Sequence, residues 1–171
     1  MQSTYKTERL LLNKLNIANT EFILELVNTS GWIQFIGDRN VKTNEAAKQY
    51  IQKILNNADV SYRVVLLQDN QTAIGVVTLI KRDYLNHHDI GFAFLPAYTK
   101  LGYAFEATLT VLNGLLNAKQ HKTILATTIK ENESSIQLLK KLGFTFANEI
   151  NNKNEILQVF SVTKEKLYNP Q

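Results

Sequence analysis

The order of strand-like and helix-like segments constrains the fold of this chain more than any other feature of its sequence. Residues 61–68 and 73–81 are rich in β-branched side chains, and the four polar residues between them predict a hairpin. Farther along, residues 102–118 carry leucines at helical spacing and separate the strand predicted at 89–95 from the next one. Hairpins join antiparallel strands, whereas helical crossovers join parallel ones. The two together predict a mixed α/β sheet with helices on both faces.

The other segments complete the predicted element order β-α-α-β-β-β-α-β-α-β-β. We expect strands at 9–15, 122–130, 144–150 and 155–163, helices opening at Asn19 and Thr43, and a helix at 134–142. The last two strands are expected to turn at residues 151–154. No repeat or linker-like stretch interrupts this order, so we expect a single domain over residues 1–171 with its core at 7–163.

Composition excludes several classes of protein. The chain has 171 residues, of which 44% are apolar, and it has no cysteine. That absence excludes a disulfide framework, a thiolate zinc site and a cysteine nucleophile, and we expect no metal. No apolar run approaches the ~20 residues of a membrane span, and residues 1–6 lack an apolar targeting core. We therefore expect a cytoplasmic protein with no membrane partner.

The positive charge is spread along the chain. The net charge is +4, and the longest basic runs are the pairs Lys81–Arg82 and Lys140–Lys141. Nucleic-acid-binding proteins usually concentrate basic residues on one face or in one tract, so direct nucleic-acid binding is not expected. A weak preference for anionic ligands, such as a phosphorylated cofactor, remains open.

The junction between the strand at 89–95 and the helix at 102–118 is the most informative segment. Pro96 ends the strand, and Gly102 lies where the helix begins. The first amides of a helix have no intrahelical acceptor, and the helix dipole makes that end positive. Lys100 adds a positive side chain, so the junction is suited to bind an anion. The alternative is that Gly102 is needed only for the turn.

A second polar junction begins at Asn132, where another strand ends and a helix begins. Asn132 fits an ordinary helix N-cap, and its side chain has hydrogen-bonding groups left for a ligand. Two nucleotide motifs are absent: there is neither a P-loop Gly-x-x-x-x-Gly-Lys-Ser/Thr nor a Gly-x-Gly-x-x-Gly fingerprint.

Taken together, the two junctions resemble the GNAT acetyltransferase superfamily. The segment from Pro96 reads Pro-x-Tyr-x-x-x-Gly-Tyr-Ala-x-Glu-Ala, and the segment from Asn132 reads Asn-x-x-Ser-x-x-Leu-Leu-Lys-Lys-Leu-Gly-Phe. The opening Thr-Glu-Arg-Leu-Leu-Leu at residues 7–12 and the segment at 36–41 are similar to the subgroup of ribosomal-protein N-terminal acetyltransferases. The resemblance spans residues 7–163 and implies a GNAT-like fold.

The resemblance implies a site for acetyl-CoA. In this superfamily the loop matching residues 99–104 holds the pyrophosphate with backbone amides, and a bulge in the strand at 90–95 separates it from its neighbour so that the pantetheine arm binds like an added strand. Thr99 and Lys100 depart from the usual loop pattern, whereas Gly102 and Ala104 match it. The implied cofactor-binding residues are Phe92, Phe94, Leu95, Lys100, Leu101, Gly102, Tyr103, Ala104, Asn132 and Ser135.

The resemblance also implies direct transfer of an acetyl group to an amine. Many relatives use a carboxylate on the strand at 89–95 as base, which here is Asp89, while His88 has a suitable intrinsic pKa of ~6.5. Asn132 matches the residue that contacts the pantetheine arm or the acetyl end. Simple loop polarity is the alternative for Asp89 and His88. The tyrosine acid of many relatives is replaced by Leu139.

The acceptor is less constrained by the sequence. Trp32, Phe35, Asp38 and Arg39 lie where relatives place the acceptor-side loop. In the alternative interpretation Trp32 belongs to the core and Asp38 pairs locally with Arg39. The expected acceptor is a primary amine, on a small molecule or a protein N-terminus. A non-catalytic acyl-CoA-binding module is the competing hypothesis, and a homodimer through the last strands is possible.

Overall fold

The computed structural model describes residues 4–118, 121–152 and 155–168, and all eight strands within them belong to one mixed sheet. The strands are β1 (Thr4–Lys6), β2 (Leu10–Lys14), β3 (Val60–Leu67), β4 (Ala73–Ile80), β5 (Asp89–Phe94), β6 (Thr123–Thr128), β7 (Thr145–Asn152) and β8 (Glu155–Thr163). Their order across the sheet is β1-β2-β3-β4-β5-β6-β8-β7. Every neighbouring pair is antiparallel except β5 and β6, which run parallel.

Helices cover both faces of this sheet. They are α1 (Thr20–Val27), α2 (Ser30–Phe35), α3 (Asn44–Leu55), α4 (Tyr103–Asn117) and α5 (Glu133–Lys141). The first three belong to one buried cluster with Val64 of β3 and Val76 of β4. Helices α4 and α5 belong to a second cluster on the opposite face, with Val65 and Val77 from the same two strands. Successive side chains of a strand point to opposite faces, so the continuous apolar runs of β3 and β4 serve both cores.

The feature that positions the candidate site is a gap between β5 and β6. Their ladder in the described residues consists of one pair, Asp89 with Leu125, although each strand has six residues. Beyond that pair the two strands diverge. The opening lies at their carboxyl ends, beside the start of α4, and is called the β5–β6 cleft below.

The predicted fold class is confirmed, and two short elements were missed. Strand β1 has three residues and is a strand because it pairs with β2. Helix α2 lies in a segment for which the sequence analysis predicted no element, and the Thr29 side chain caps it by accepting from the Trp32 amide. Part of the expected turn, at residues 153–154, lies outside the described residues.

The expected bulge in the strand at 90–95 is absent from its pairing with β4. The register runs without a shift from Gly75 opposite Phe94 to Ile80 opposite Asp89. The cleft therefore has another origin. Separately, no helix among the described residues has the length and apolar character needed to cross a membrane.

Candidate active site

The loop before α4 turns sharply through two residues in the left-handed region. Lys100 has a φ of 60° and Gly102 a φ of 85°. Glycine adopts this conformation freely, whereas a side chain there costs roughly 1–2 kcal/mol. Helix α4 begins directly after Gly102, so its first N–H groups, from Tyr103 onward, have no intrahelical acceptor. The loop presents these donors at the mouth of the β5–β6 cleft, where the sequence predicted an anion site.

The segment before β2 holds the first turn of α4 through Glu106. The Thr7 hydroxyl donates to Glu106 Oε1 at 2.5 Å, and the Arg9 guanidinium donates to Glu106 Oε2 from Nε at 2.7 Å and from Nη2 at 2.6 Å. The Arg9 amide also donates to Oε1, at 3.2 Å. Burial alone would raise the pKa of Glu106, but the hydrogen bonds from Thr7 and Arg9 outweigh it and lower the pKa. Glu106 is thus an ionised anchor point.

Arg9 contacts the loop itself as well. Its Nη1 donates to the Leu101 carbonyl at 3.2 Å, and its guanidinium carbon lies 4.5 Å from the centre of the Tyr103 ring. A Cβ added at Gly102 would lie 3.3 Å from Arg9 Nη2. The glycine therefore meets two needs, since it supplies the positive φ and leaves room for the guanidinium.

The backbone of β5 offers hydrogen-bonding groups to the β5–β6 cleft. The Leu95 amide donates to the Ile74 carbonyl of the neighbouring hairpin at 2.9 Å. Because backbone direction alternates along a strand, the N–H and C=O groups of Phe92 and Phe94 face away from β4, toward the cleft. The Leu95 carbonyl accepts from the Tyr98 amide at 2.9 Å, so both backbone groups of Leu95 are occupied. Pairing of Leu95 with an added strand stays a prediction, for which only the second lone pair of its carbonyl is open.

Asp89 lies where the two strands begin to diverge. It is 4% exposed, and its carboxylate accepts from the Thr127 amide of β6 at 3.0 Å and from Arg82 Nε at 3.0 Å. The Thr127 hydroxyl lies 3.3 Å from both carboxylate oxygens. Burial raises the pKa of Asp89, against the opposing effects of Arg82 and Thr127. The alternative of simple loop polarity fails, because Asp89 is buried and fully bonded.

His88 does not share the environment of Asp89. Its ring packs edge-on against His121, with centroids 4.5 Å apart, and its carbonyl accepts from the Leu125 amide at 2.9 Å. Burial lowers the pKa of His88, and Lys81 acts in the same direction. Adjacent residues of extended chain point to opposite faces, so the two side chains diverge. His88 therefore lies at the closed end of the β5–β6 cleft, and the structure does not bring it together with Asp89 as a catalytic pair.

Asn132 is the N-cap of α5, as the sequence suggested. Its side-chain oxygen accepts from the Ser135 amide at 3.3 Å and from the Ser134 hydroxyl at 3.2 Å. Its side-chain nitrogen makes no hydrogen bond to the described residues, so a donor remains for a ligand. Leu139, about two turns farther along the same helix, is 1% exposed in the core. Leucine has no proton to donate, so this position supplies no acid to the cleft.

The acceptor-side segment divides into core and surface. Trp32 is 3% exposed and belongs to the buried cluster of α1 and α3, so its expected role in substrate binding is corrected in favour of the core alternative. Phe35 is half-buried and Arg39 exposed. Asp38 is exposed and pairs with Lys42 at 3.4 Å rather than with Arg39, and its carboxylate accepts from the Asn40 amide at 2.7 Å. Arg39 forms no ion pair with the described residues.

Two cavities lie beside the candidate site, on the β6–β8–β7 part of the sheet. One has a volume of about 340 Å³ and is lined by residues including Ile129, Glu131 and Glu149. The other has about 290 Å³ and lies between α5 and the β7–β8 hairpin, near Phe146 and Phe160. None of the residues predicted from the sequence lines either cavity. The candidate site is the open cleft itself, closed only at the Asp89 end.

Sequence reasoning missed three residues that shape this site: Thr7, Arg9 and Glu106. The segments containing them were noted for their resemblance, but no role followed, because Arg9 and Glu106 are 97 residues apart in the chain. The signal present in the sequence was a carboxylate one turn after Gly102, where an acidic residue is favoured by the helix dipole.

Comparison with known proteins shows the family to which this chain belongs. Residues 9–145 match the family described as the acetyltransferase (GNAT) domain. The chain belongs to the GNAT family and is an acetyltransferase. It is 31% identical to the uncharacterized N-acetyltransferase YnaD of Bacillus subtilis (strain 168) over 139 residues. These aligned residues are 80% of this chain and 79% of that protein.

Solved structures share the fold along nearly the whole chain. A GNAT-family acetyltransferase from Bacillus anthracis superposes with a TM-score of 0.80 at 24% identity, covering 95% of this chain and 99% of the other. The ribosomal-protein-S5-alanine acetyltransferase from Vibrio fischeri superposes with a TM-score of 0.79 at 19% identity, covering 98% and 100%. At these identities the likeness concerns the fold.

Proposed function

We propose that this protein transfers the acetyl group of acetyl-CoA directly to a primary amine, on a small molecule or a peptide N-terminus. The observation that carries the proposal is the β5–β6 cleft with the N-terminus of α4 at its mouth. It combines free strand backbone with a cluster of N–H donors. An extended amide-containing arm that ends in phosphates matches both parts.

The residues of this chain fit acetyl-CoA. The N–H groups of residues 101–104 suit the pyrophosphate, because Gly102 leaves the approach free of a side chain and Arg9 fixes the loop. The backbone groups of Phe92 and Phe94 suit the amides of the pantetheine arm, and the Asn132 side-chain nitrogen keeps a donor for a ligand. Acetyl-CoA supplies the activated acyl group as a thioester.

The chain's own contribution to the chemistry is to orient the two substrates and to donate a hydrogen bond to the developing oxyanion. A backbone N–H of β5 that faces the cleft, such as that of Phe92, is suited to this task. The amine must be neutral to attack. An α-amino group, with a pKa of ~8, is several hundredfold more available at neutral pH than a lysine amine at ~10.4. A site without a free carboxylate base therefore favours an N-terminal or otherwise weakly basic amine.

Binding is tested by thermal unfolding with and without acetyl-CoA. A ligand at 100 times its dissociation constant stabilises by ~2.7 kcal/mol, which for a chain of this size raises Tm by roughly 5–10 °C. Gly102→Val is the matched control. Its side chain fills the approach to the N–H groups of the loop, so acetyl-CoA should raise its Tm less. An absence of any shift at millimolar acetyl-CoA contradicts the proposal.

Turnover is tested by thiol release from acetyl-CoA in the presence of peptides with free N-termini, with N-acetylated copies of the same peptides as controls. The protein has no cysteine, so a thiol reagent detects only released coenzyme A. Binding without turnover on any amine would favour the acyl-CoA-binding module instead. The observation that favours such a module is the buried Leu139, which replaces the tyrosine acid of many relatives.

A further inference from the structure

The parallel ladder between β5 and β6 stops at a defined atom. The Leu125 amide of β6 donates to the His88 carbonyl at 2.9 Å, next to the single strand pair of Asp89 with Leu125. In a parallel ladder the same bond recurs every two residues along both strands. The next bond would join the Thr127 amide to the Ile90 carbonyl.

The Asp89 side chain occupies that place. The Thr127 amide donates to Asp89 Oδ1 at 3.0 Å, and the Thr127 hydroxyl lies 3.3 Å from both oxygens. A carboxylate thus replaces the carbonyl that would have continued the ladder. It satisfies the part-buried Thr127 N–H, which separation of the strands would otherwise leave unpaired at a cost in free energy.

Arg82 compensates the buried charge. Its Nε lies 3.0 Å from Asp89 Oδ2, and Asp89 is 4% exposed while Arg82 reaches solvent. One oxygen is therefore held mainly by β6 and the other by Arg82. The register between β4 and β5 has no shift, so no bulge on that side explains the divergence.

We propose that Asp89 is a positioning residue whose carboxylate caps the Thr127 amide where the β5–β6 ladder ends and so stabilises the open cleft. With the Thr127 amide held by Asp89, the Ile90 carbonyl and the backbone groups of Phe92 face the cleft without a β6 partner. One consequence rests on the proposed function: Asp89 is not the general base of the acetyl transfer. The carboxylate acts through the end of β6 that it holds in place.

The decisive measurement is the rate of amide hydrogen exchange at Thr127, monitored by NMR on the full chain without acetyl-CoA. In Asp89→Ala, exchange at Thr127 accelerates at least tenfold, whereas the Ala126 amide, which faces β8, changes little. In Asp89→Asn the side-chain oxygen still accepts, so protection stays within threefold of wild type. Asp83→Asn, an exposed change in the same connection, serves as the matched control. If D89A does not fold, Asp89→Ser replaces it, because its hydroxyl is one bond too short to reach Thr127.

Kinetics on the same variants separate positioning from base catalysis. D89A raises the KM for acetyl-CoA at least tenfold, and D89N lowers kcat by less than tenfold with the pH profile retained. Unchanged Thr127 exchange in D89A or D89S overturns the proposal. So does a hundredfold or greater loss of kcat in D89N with Thr127 still protected, since loss of a general base costs ~10²–10⁴-fold. The exchange result does not depend on acetyl transfer, so failure of the proposed function would be seen separately.

Discussion

Removing the Arg9 side chain is expected to weaken acetyl-CoA binding while the protein stays folded. Arg9→Ala deletes the bonds to Glu106 at 2.6 and 2.7 Å, the bond to the Leu101 carbonyl at 3.2 Å and the contact with the Tyr103 ring. The loop before α4 still contains Lys100 and Gly102 in the left-handed region, but the guanidinium that holds this conformation is gone. We expect it to populate conformations that do not present the helix N-terminus to phosphate.

The magnitude follows from exposure and bond type. The Arg9 side chain is 44% exposed, so its ion pair with Glu106 contributes at most ~1 kcal/mol after solvent screening. The bond to the Leu101 carbonyl adds ~1 kcal/mol, and the ring contact adds a few tenths more. Together these losses destabilise the binding-competent conformation of the loop by about 1–2 kcal/mol, which raises the apparent Kd by roughly 5–30-fold.

Isothermal titration of acetyl-CoA against the variants measures this effect. Lys48→Ala, which removes an exposed positive charge from α3, controls for net charge and should leave Kd within twofold. Glu106→Gln distinguishes a positioning role from direct attraction of phosphate. If Arg9 positions the loop, E106Q also weakens binding; if Arg9 acts only as a nearby cation, freeing it strengthens binding. A Kd for R9A within twofold of wild type would refute the reasoning.

Other perturbations test neighbouring parts of the structure. Gly102→Ala places a Cβ 3.3 Å from Arg9 Nη2 at a φ of 85°, so we expect Tm to fall by several degrees and the Kd for acetyl-CoA to rise at least fivefold, both measurable in one thermal titration. The folded pKa of Glu106 lies below its unfolded value of ~4.3, so its contacts with Thr7 and Arg9 stabilise fully above that pH and are lost as pH falls through the folded pKa. The fall in Tm from pH 6 to pH 3 should therefore be shallower in Glu106→Gln, and identical slopes would contradict the assignment. Leu139→Ala truncates a side chain that is 1% exposed, so denaturant unfolding should show the free energy of unfolding fall by ~2–5 kcal/mol. A fall of less than about 1 kcal/mol would place Leu139 outside the core.

The long elements could be predicted because their apolar periodicity is strong. The β-branched runs of β3 and β4 and the leucines of α4 appear in the structure within one or two residues of the predicted bounds. The missed elements lack such a signal. Strand β1 is three residues long and depends on pairing with β2, and α2 has six residues stabilised by burial of Trp32. Both depend on tertiary contacts that local patterns do not contain.

The site was predictable only where it depends on backbone geometry. Gly102 at a helix start indicates an N–H cluster whatever else surrounds it, and Asn132 indicates a cap. The partners of Asp89 were not predictable, because Thr127 lies 38 residues away and approaches through the sheet. The expected bulge came from family resemblance, and here a side chain at the end of the ladder takes the place of a change in register.

The alternation of side chains along β5 has a consequence for how substrate range can change. Ile90, Phe92 and Phe94 belong to the face covered by α4 and α5, whereas Gly91 and Ala93 face α1–α3. One strand thus separates two sets of positions that selection can vary independently. Under the proposed function, directed evolution toward a new amine can begin with Ala93 on the α1–α3 face and leave Phe92 and Phe94 on the other face unchanged.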